Sequence, residues 1–344
     1  MTTIGITHDL TRARTIYADV DLDRLRAVAE VHFLGAVDPQ SPPAALAACD
    51  FLSGGWGFPR LTPELLAQAP RLKGVCYAAG SIKGFATPEA YARGLTITSA
   101  MAANALPVAD VTAALVVLAS KNWFRVQDLI RAHGAAGWQL ARNHFNEPRQ
   151  AECPEPPMLG TYGLTVGMIG FGSIARLTAA RLQHLEPRIL VYDPYASEQA
   201  LAEAGAERVP LLTDLARRSD VITVHAPDIP ATHHMCNEAF FQAMRPGTSF
   251  INTARGRLVD EAALIQALTS GRIQAFLDVT HPEPPAADSP LYRLPNCWLT
   301  PHRAGSHGRE VHRMGRLAVE DLLRLIAGVA PQHAIHEAQL ATMA

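Results

Sequence analysis

Four polar side chains follow the ends of three predicted strands in the second half of this sequence. Arg255 follows "TSFINTA", Asp278 lies at the end of "AFLDVT" with Glu283 five residues beyond it, and His302 follows "CWLTP". Parallel sheets bind ligands at the carboxyl ends of their strands, so these side chains are expected at one edge of a sheet. A guanidinium, two carboxylates and an imidazole can bind a carboxylate and move a proton, as the interconversion of 2-keto and 2-hydroxy acids requires.

Each of these residues also has an ordinary structural interpretation. An Arg-Gly turn usually holds a solvated charge, Glu before Pro is common in loops, and one histidine among fourteen carries little weight. The combination of these four side chains at one edge of a sheet favours a catalytic role over the separate structural roles. A metal site is not expected, because His302, His307 and His312 recur every five residues and so do not share one helical face.

A glycine-rich turn, "GFGSIA", follows an apolar stretch and begins a predicted helix. Gly170 would permit a tight turn, Gly172 would let backbone amides approach a pyrophosphate, and the small Ala175 would let helix and strand pack closely. Free N–H groups at the start of the helix would favour the phosphates. A tight strand-to-helix turn without a ligand is the alternative interpretation.

Asp193 supports the dinucleotide interpretation, because it ends the next apolar strand, "RILVYD", eighteen residues after Ala175. A carboxylate there accepts hydrogen bonds from the adenosine ribose and repels a 2′-phosphate. No arginine follows directly in "YDPYASEQ". The sequence therefore predicts NAD rather than NADP as the cofactor, with no metal.

Short apolar stretches alternate with longer amphipathic ones along the chain, which indicates a parallel α/β fold. Helices are predicted over 22–30, 62–69, 106–123 and 308–328. The strands form two series, with boundaries near 104 and 305, and therefore predict two α/β domains. The first series is 3–7, 31–35, 50–55, 72–78 and 95–100, and the second is 164–171, 188–193, 220–226, 248–254, 275–280 and 297–301.

The bulk composition excludes several classes of protein. Of the 344 residues 48% are hydrophobic and 18% charged, and a formal charge of −2 gives no basic surface for nucleic acid or an anionic membrane. The N-terminus lacks the order of a signal peptide, and the longest apolar run, 113–119, is too short to span a membrane. The cysteines form no CxxC pair, as in reduced intracellular proteins, so a soluble cytoplasmic protein is expected; they are Cys49, Cys76, Cys153, Cys236 and Cys297.

The chain resembles the D-isomer-specific 2-hydroxyacid dehydrogenases over nearly its whole length, most strongly over 160–305. The motifs that carry the resemblance are "GLTVGMIGFGSIAR", "ITVHAPDIPATHHM", "MRPGTSFINTARGRLVDEAAL", "FLDVTHPEP" and "LTPHRAG". It implies two doubly wound parallel-sheet domains, with a Rossmann NAD domain, 105–305, inserted into a flavodoxin-like substrate domain made of 1–104 and 306–344. It also implies a homodimer built largely through the NAD domain.

The resemblance implies roles residue by residue. Arg255 matches the arginine that grips the substrate carboxylate and polarises the keto oxygen, and Glu283 and His302 match the acid–base pair. Asp278 matches the residue that orients the nicotinamide carboxamide, and Asp193 matches the ribose-binding acid. Further cofactor positions are expected at Gly170, Gly172, Ser173, Ile174, Pro227, Thr232, Thr253 and Gly305, and further substrate positions at Gly80 and Ser81.

The expected mechanism moves a hydride between nicotinamide C4 and substrate C2 while His302 exchanges a proton with the substrate oxygen. A neighbouring Glu283 carboxylate would favour the protonated ring and fix its tautomer. Reduction of a keto acid should therefore weaken as the pH rises and the ring loses its proton, and oxidation of the alcohol should weaken as the pH falls.

The segments of the sequence that are expected near the substrate depart from the family pattern. The stretch "YAAGSIKGF", 77–85, stands where many relatives carry a GxGxD loop, with Ala79, Ser81 and Lys83 at those positions. Lys83 is either solvated or an extra positive charge for a second anionic group. Trp56 either lines an apolar substrate mouth or covers the edge of the domain. The sequence therefore leaves the identity of the acid open.

A second class of function also stays open. An NAD(H)-sensing binding protein, like the corepressors that resemble this family, can keep the same site residues. The chain lacks the long partner-recruiting extensions expected of such a protein. Formate oxidation is disfavoured, because that branch of the family has Gln at the position of Glu283. Turnover with a panel of 2-keto acids separates the enzyme from the sensor.

Overall fold

The strands of this chain form two separate sheets, and within each sheet the named strands pair in parallel. A computed structural model describes residues 1–146, 160–341 and 343, so Cys153 lies outside the described residues. The chain divides into two compact units, the first made of Met1–Ala105 with Gly305–Met343 and the second of Leu106–Ala304. The expected α/β class with two parallel sheets is confirmed.

Twelve strands are found in the described residues. They are β1 (Thr3–Ile6), β2 (Glu30–Phe33), β3 (Phe51–Gly54), β4 (Gly74–Tyr77), β5 (Thr96–Ser99), β6 (Thr165–Ile169), β7 (Arg188–Tyr192), β8 (Ala206–Arg208), β9 (Val221–Val224), β10 (Ser249–Asn252), β11 (Gln274–Leu277) and β12 (Cys297–Leu299).

Twelve α-helices connect or flank these strands in the same part of the chain. They are α1 (Leu10–Ile16), α2 (Asp19–Arg26), α3 (Pro63–Gln68), α4 (Pro88–Ala92), α5 (Met101–Ser120), α6 (Trp123–Asn146), α7 (Ser173–Leu182), α8 (Glu198–Glu203), α9 (Leu212–Arg218), α10 (Glu238–Ala243), α11 (Glu261–Thr269) and α12 (Arg309–Ile326).

The first unit is built on the sheet β2-β1-β3-β4-β5. This is the flavodoxin-like doubly wound order, in which the chain starts inside the sheet and moves outward in both directions. Helix α12 packs on α1, α2, β4 and β5, so the last helix belongs to the first unit. Fully buried side chains such as Ile4, Ile6 and Val75 form its core because helices cover both faces of a parallel sheet.

The second unit is built on the sheet β12-β11-β10-β9-β6-β7-β8. The chain leaves β6 through β7 to β8 and then returns to β9 on the other side of β6, which is the Rossmann order with one added strand. The strand order therefore reverses between β6 and β9. In open parallel sheets ligands bind outside the carboxyl ends of the strands at such a switch point.

Helix α5 is long and apolar enough to span a membrane by length and composition alone. The core helix of a soluble protein meets the same criteria, and Ala113, Val116 and Ala119 of α5 are buried in the core beside β6 and β9. We therefore describe α5 as a core helix of the α/β fold.

The C-terminal segment lies along the outer edge of β5. Thr98 and Ala334 form an antiparallel bridge, and the amide of Ile335 donates to the carbonyl of Ile97 at 2.8 Å. Asp321 of α12, which is fully buried, holds this segment by accepting a hydrogen bond from the amide of Gln332 at 2.7 Å. The first sheet is therefore covered by its own chain on this side.

Candidate active site

The turn after β6 requires glycine at position 170. Gly170 has a φ of +87°, in a region that L side chains rarely adopt. A Cβ atom there would lie 2.7 Å from the backbone nitrogen of Ala226 and 2.9 Å from the carbonyl carbon of His225. The turn is therefore packed tightly against the chain that follows β9, at the switch point of the second sheet.

Helix α7 begins directly after this turn, and the space before it is open. Gly172 is the N-cap without a side-chain hydrogen bond, and a Cβ atom on it would meet no heavy atom within 4 Å. Ala175 is fully buried, so the helix packs closely on the sheet. The amides of Ser173 and Ile174 lie at the positive end of the helix, where an anion is stabilised. The residues present therefore fit the pyrophosphate of a dinucleotide.

Asp193 fixes the same loop from the end of β7. Its Oδ2 accepts a hydrogen bond from the amide of Phe171 at 2.7 Å, and its Oδ1 accepts from the amide of Tyr195 at 2.8 Å. Each oxygen retains a second lone pair, so the carboxylate can still accept from the hydroxyls of a ribose.

Arg208 of β8 lies next to Asp193, and the sequence analysis missed it. Its guanidinium donates to the main-chain carbonyl of Asp193 and pairs with the Glu198 carboxylate at 2.8 Å. The signal was weak because Arg208 comes fifteen residues after Asp193 on a short polar strand. The Glu198 carboxylate offsets its charge.

Three other residues expected at the cofactor make hydrogen bonds within the second unit. They are Pro227, Thr232 and Thr253. Thr253 Oγ1 lies 2.8 Å from Thr112 Oγ1, which donates to the carbonyl of Val108, so Thr253 is the donor of the pair. Thr232 Oγ1 donates to the carbonyl of Pro227 at 2.6 Å. Thr232 therefore shapes the turn that follows β9, and Thr253 ties the end of β10 to α5.

His302 and Glu283 form a hydrogen-bonded pair in the second unit. They follow the adjacent strands β12 and β11, and His302 Nδ1 lies 2.9 Å from Glu283 Oε1. An ionised carboxylate only accepts, so Nδ1 carries the proton and Nε2 remains to exchange a proton with another molecule. Both side chains are about half exposed, at 49% and 43%, so the pair is accessible.

Asp278 anchors the turn that carries His302. Its buried carboxylate accepts hydrogen bonds from Thr300 Oγ1 at 2.5 Å and from the amides of Arg303 and Ala304 at 2.6 and 2.9 Å. These bonds surround His302, whose φ of +53° is left-handed. A residue other than glycine keeps such a conformation only where its surroundings fix it. Asp278 therefore has an anchoring role that the sequence analysis did not foresee.

Arg255 lies on a turn after β10 that the side chain of Asn252 closes. Asn252 Nδ2 donates to the carbonyl of Arg255 at 2.9 Å, and Asn252 Oδ1 accepts from the amide of Ala254 at 3.0 Å. A Cβ atom on Gly256 would lie 2.0 Å from the carbonyl carbon of Thr280. Glycine at 256 thus lets the Arg255 turn pack directly on the segment that follows β11.

The remaining predicted residues lie in the first unit. Gly80 and Ser81 follow β4, and Gly305 precedes α12. The side chain of Asn104 lies close to both glycines: a Cβ atom would be 3.6 Å from its Nδ2 at Gly80 and 3.3 Å from its Oδ1 at Gly305. Asn104 Oδ1 also accepts a hydrogen bond from the amide that follows Gly305, at 2.9 Å. Asn104 therefore holds the segment before the last helix and lies next to the β4 loop.

Two histidines, the buried His8 and the partly buried His225, remain uncharged near neutral pH. Burial lowers the pKa of His225, after β9, to about 4. Burial, followed by the charge of Arg12, lowers the pKa of His8, after β1, to about 4. His8 Nε2 accepts a hydrogen bond from the amide of Gly55 at 3.1 Å, which only an unprotonated nitrogen can do.

The structure brings most of the predicted residues to the carboxyl ends of strands in the second sheet, while Gly80, Ser81 and Gly305 belong to the first unit. Sequence analysis missed Asn104, Asn252 and Arg208, which act through contacts that no local pattern records. In the part of the chain that the structure describes, no group of three or more His, Cys, Asp or Glu side chains is placed to hold a metal ion.

Residues 126–304 match the family model described as D-isomer specific 2-hydroxyacid dehydrogenase, NAD binding domain. The chain is 34% identical over 268 residues to a D-3-phosphoglycerate dehydrogenase of Mycobacterium tuberculosis, covering 77% of this chain and 47% of that protein. It therefore spans about half the length of these curated relatives.

Other similar proteins match along most of their length. The chain is 32% identical over 277 residues to a glyoxylate reductase of Korarchaeum cryptofilum, covering 80% of this chain and 79% of that one. The apo structure of a D-mandelate dehydrogenase from Rhodotorula graminis superposes with a TM-score of 0.81 at 25% identity, covering 98% of each chain.

Proposed function

Since the chain belongs to the D-isomer specific 2-hydroxyacid dehydrogenase family, we propose that it catalyses the NAD(H)-dependent interconversion of a 2-keto acid and a 2-hydroxy acid. We assign cofactor binding, together with Arg255, Glu283 and His302, to the second unit. A nicotinamide cofactor, when bound, supplies or accepts the hydride at C2 of the substrate.

The observation that carries this proposal is the pairing of His302 with Glu283 at 2.9 Å on adjacent strand ends. In reduction, His302 Nε2 donates a proton to the keto oxygen, and in oxidation it removes one from the hydroxyl. Glu283 accepts the hydrogen bond from Nδ1 and so holds the ring in the tautomer that leaves Nε2 free. Asp278 acts as a positioning residue by fixing the backbone of the His302 turn.

Arg255 is the group proposed to bind the substrate carboxylate. Its planar guanidinium offers two parallel donors, which suit a carboxylate better than the point charge of a lysine. The Asn252 side chain and the close approach of Gly256 to Thr280 fix the turn from which it extends. The loop at Gly80 and Ser81 is proposed to add further contacts to the acid.

We propose NAD rather than NADP as the preferred cofactor. The Asp193 carboxylate, directly after β7, would accept from the ribose hydroxyls and repel a 2′-phosphate. Arg208 is the nearby cation that could have reversed this preference, but it pairs with Glu198. The choice between the cofactors therefore depends on the net effect of Asp193, Glu198 and Arg208.

The test measures oxidation of NADH, and of NADPH in parallel, with glyoxylate, pyruvate, hydroxypyruvate, phenylpyruvate and branched 2-keto acids. We expect turnover of at least one acid, faster with NADH. The names of the similar proteins differ in their acid, so the panel is needed to identify the substrate. Tight cofactor binding with no turnover of any acid would indicate an NAD(H) sensor instead.

His302→Ala should lower turnover by about 10²- to 10⁴-fold, because general acid–base assistance is worth about that much. NADH should still bind, since His302 is not proposed to contact the adenosine or the phosphates. His184→Ala, at an exposed position in the same unit, is the matched control and should keep full turnover. Normal turnover of His302→Ala would refute the assigned role.

A further inference from the structure

The first unit contains a cavity of about 470 Å³ that none of the roles above uses. It lies between α1, the loop after β3 and the start of α12. Its main lining residues are Arg12, Ile16, Trp56, Arg309, Val311 and His312. Three of these carry or can carry positive charge, and three are apolar.

The positive charges of the cavity are not offset by direct ion pairs. Arg12 donates to the main-chain carbonyl of Trp56 at 3.0 Å, and within the described ranges neither Arg12 nor Arg309 has a carboxylate within 4.0 Å. The nearest acids in sequence accept from backbone amides and not from these guanidinium groups: Asp9 accepts from the amide of Arg12, and Glu310 accepts from the amide of His307. The cavity therefore favours an anion.

The backbone of the loop that carries Trp56, on the apolar side of the cavity, is held by two hydrogen bonds. Trp56 is 46% exposed, so part of its indole is accessible to a ligand in the cavity. Its loop is clamped twice, by Arg12 at the carbonyl of Trp56 and by His8 at the amide of Gly55. A loop backbone that is held before binding lowers the entropy cost of ordering it around a ligand.

His312 is oriented by its own contact. Its Nε2 lies 3.2 Å from the carbonyl of Arg14, and because a carbonyl only accepts, Nε2 carries the proton. The ring is thereby held at the wall of the cavity near the first turn of α12. It adds a polar edge next to Arg309 and the apolar Val311.

We propose that this cavity is a binding site for an organic anion that combines a carboxylate with an aromatic or branched apolar group. Arg309 and Arg12 receive the carboxylate, and Ile16, Val311 and Trp56 receive the apolar part. Binding at this site requires neither the cofactor nor a 2-keto group, so it goes beyond the proposed function and can be tested without turnover.

The test titrates phenylacetate into the full-length protein by calorimetry, without cofactor. Phenylacetate carries both features and cannot be reduced as a 2-keto acid. Phenylacetamide lacks the charge and acetate lacks the ring, so both should bind at least about tenfold more weakly, because a charge-assisted hydrogen bond and the burial of a ring are each worth that much.

Arg309→Gln should weaken phenylacetate binding by about tenfold or more. Arg313→Gln removes the same charge from an exposed position on the same helix outside the cavity, so it is the matched control and should not change the affinity. Equal affinities of the two variants, equal binding of phenylacetate and phenylacetamide, or no binding of phenylacetate in the millimolar range would each overturn the proposal. The comparison of acid with amide needs no variant, so it holds even where a substitution impairs folding.

Two natural ligands fit the chemistry of this cavity: the 2-keto acid substrate and a separate organic anion. Inhibition kinetics distinguish them. Phenylacetate that competes with the keto acid, in a manner lost in Arg309→Gln, shows that the keto acid also binds in this cavity, in addition to its proposed contact with Arg255. Phenylacetate that binds but leaves the KM for glyoxylate unchanged identifies a separate ligand. Either result supports the site, and neither depends on which keto acid proves to be the substrate.

Discussion

At the scale of single residues, Asp278 combines a proposed cofactor contact with an anchoring role that is visible in its hydrogen bonds. Asp278→Asn replaces one of the two acceptor oxygens by an N–H₂ group, which opposes the amide of either Arg303 or Ala304. We expect the free energy of unfolding to fall by about 2 kcal/mol, because hydrogen bonds to a buried charge are lost. Urea denaturation without cofactor measures this directly.

The same experiment separates the two roles of Asp278. An anchoring role lowers stability in the absence of cofactor, whereas a role limited to the nicotinamide would leave stability unchanged and raise only the KM for NADH. Asp288→Asn, at an exposed position after β11, is the control and should alter neither quantity. An unchanged unfolding curve for Asp278→Asn would show that the anchor is unimportant.

Residue types and their order along the chain predicted which side chains to consider, and the structure explains how they are held. His302 and Glu283 were identifiable because both follow strand ends. Asn252 and Arg208 were not, since an amide that closes a turn and an arginine on a polar strand carry no periodic signal. Their contacts, such as Asn252 Nδ2 with the carbonyl of Arg255, depend on the folded backbone.

At the scale of elements, the two glycines of the β6–α7 turn should respond differently to alanine. Gly170→Ala should lower the free energy of unfolding by about 2 kcal/mol or more, because its φ is +87° and its Cβ would contact the backbone of Ala226. Gly172→Ala should change stability by less than about 0.5 kcal/mol, since its Cβ enters open space.

Measuring the affinity of both variants for NADH tests whether the open space at Gly172 receives the cofactor. Gly172→Ala should weaken binding of the cofactor despite normal stability, because the added methyl group occupies the approach of the pyrophosphate. Thermal unfolding and NADH titration of both variants provide the two measurements. Full affinity in Gly172→Ala would argue against phosphate binding at the start of α7.

The loop after β3 should make stability depend on pH through His8. The pKa of His8 falls from 6.5 to about 4 on folding, so between these values the unfolded chain binds a proton that the native ring does not. The free energy of unfolding should therefore decrease as the pH falls through this window, and the contribution of His8 should be complete above it.

His8→Asn tests this contribution, because Asn can still accept from the amide of Gly55 but does not titrate. Its stability should vary less between pH 6.5 and about 4 than that of the natural protein, whereas His184→Asn should leave the variation unchanged. A pH dependence identical in the natural protein and in His8→Asn would contradict the assignment.

Periodicity predicted the longer elements but not every short one. Buried apolar strands such as β6, β9 and β10 were evident because both of their faces are covered. Strand β8 was missed, since its sequence "AER" has no apolar run and pairs only with β7 at the sheet edge. Helix α6 was also missed, and it contains a break at Gly134 that a continuous pattern does not indicate.

At the scale of the whole molecule, we propose a homodimer, as the family resemblance implies. Helix α6 of the second unit exposes Trp138 and Leu140, at 59% and 58%, which is costly for large apolar side chains in water. Light scattering should give twice the mass of one chain. Leu140→Glu should shift the protein toward the monomer, and Tyr195→Glu, exposed at 92% outside α6, should not.

The covered edge of β5 has a consequence for how this protein behaves in a crowded solution. An open strand edge offers unpaired amides and carbonyls to any other chain, and such edges seed aggregates. The bridge from Thr98 to Ala334, held by the buried Asp321, occupies that edge with the protein's own tail. Removing the tail from Gln332 onward would leave the chemistry of His302 untouched and yet expose the edge of β5 as a template for uncontrolled self-association.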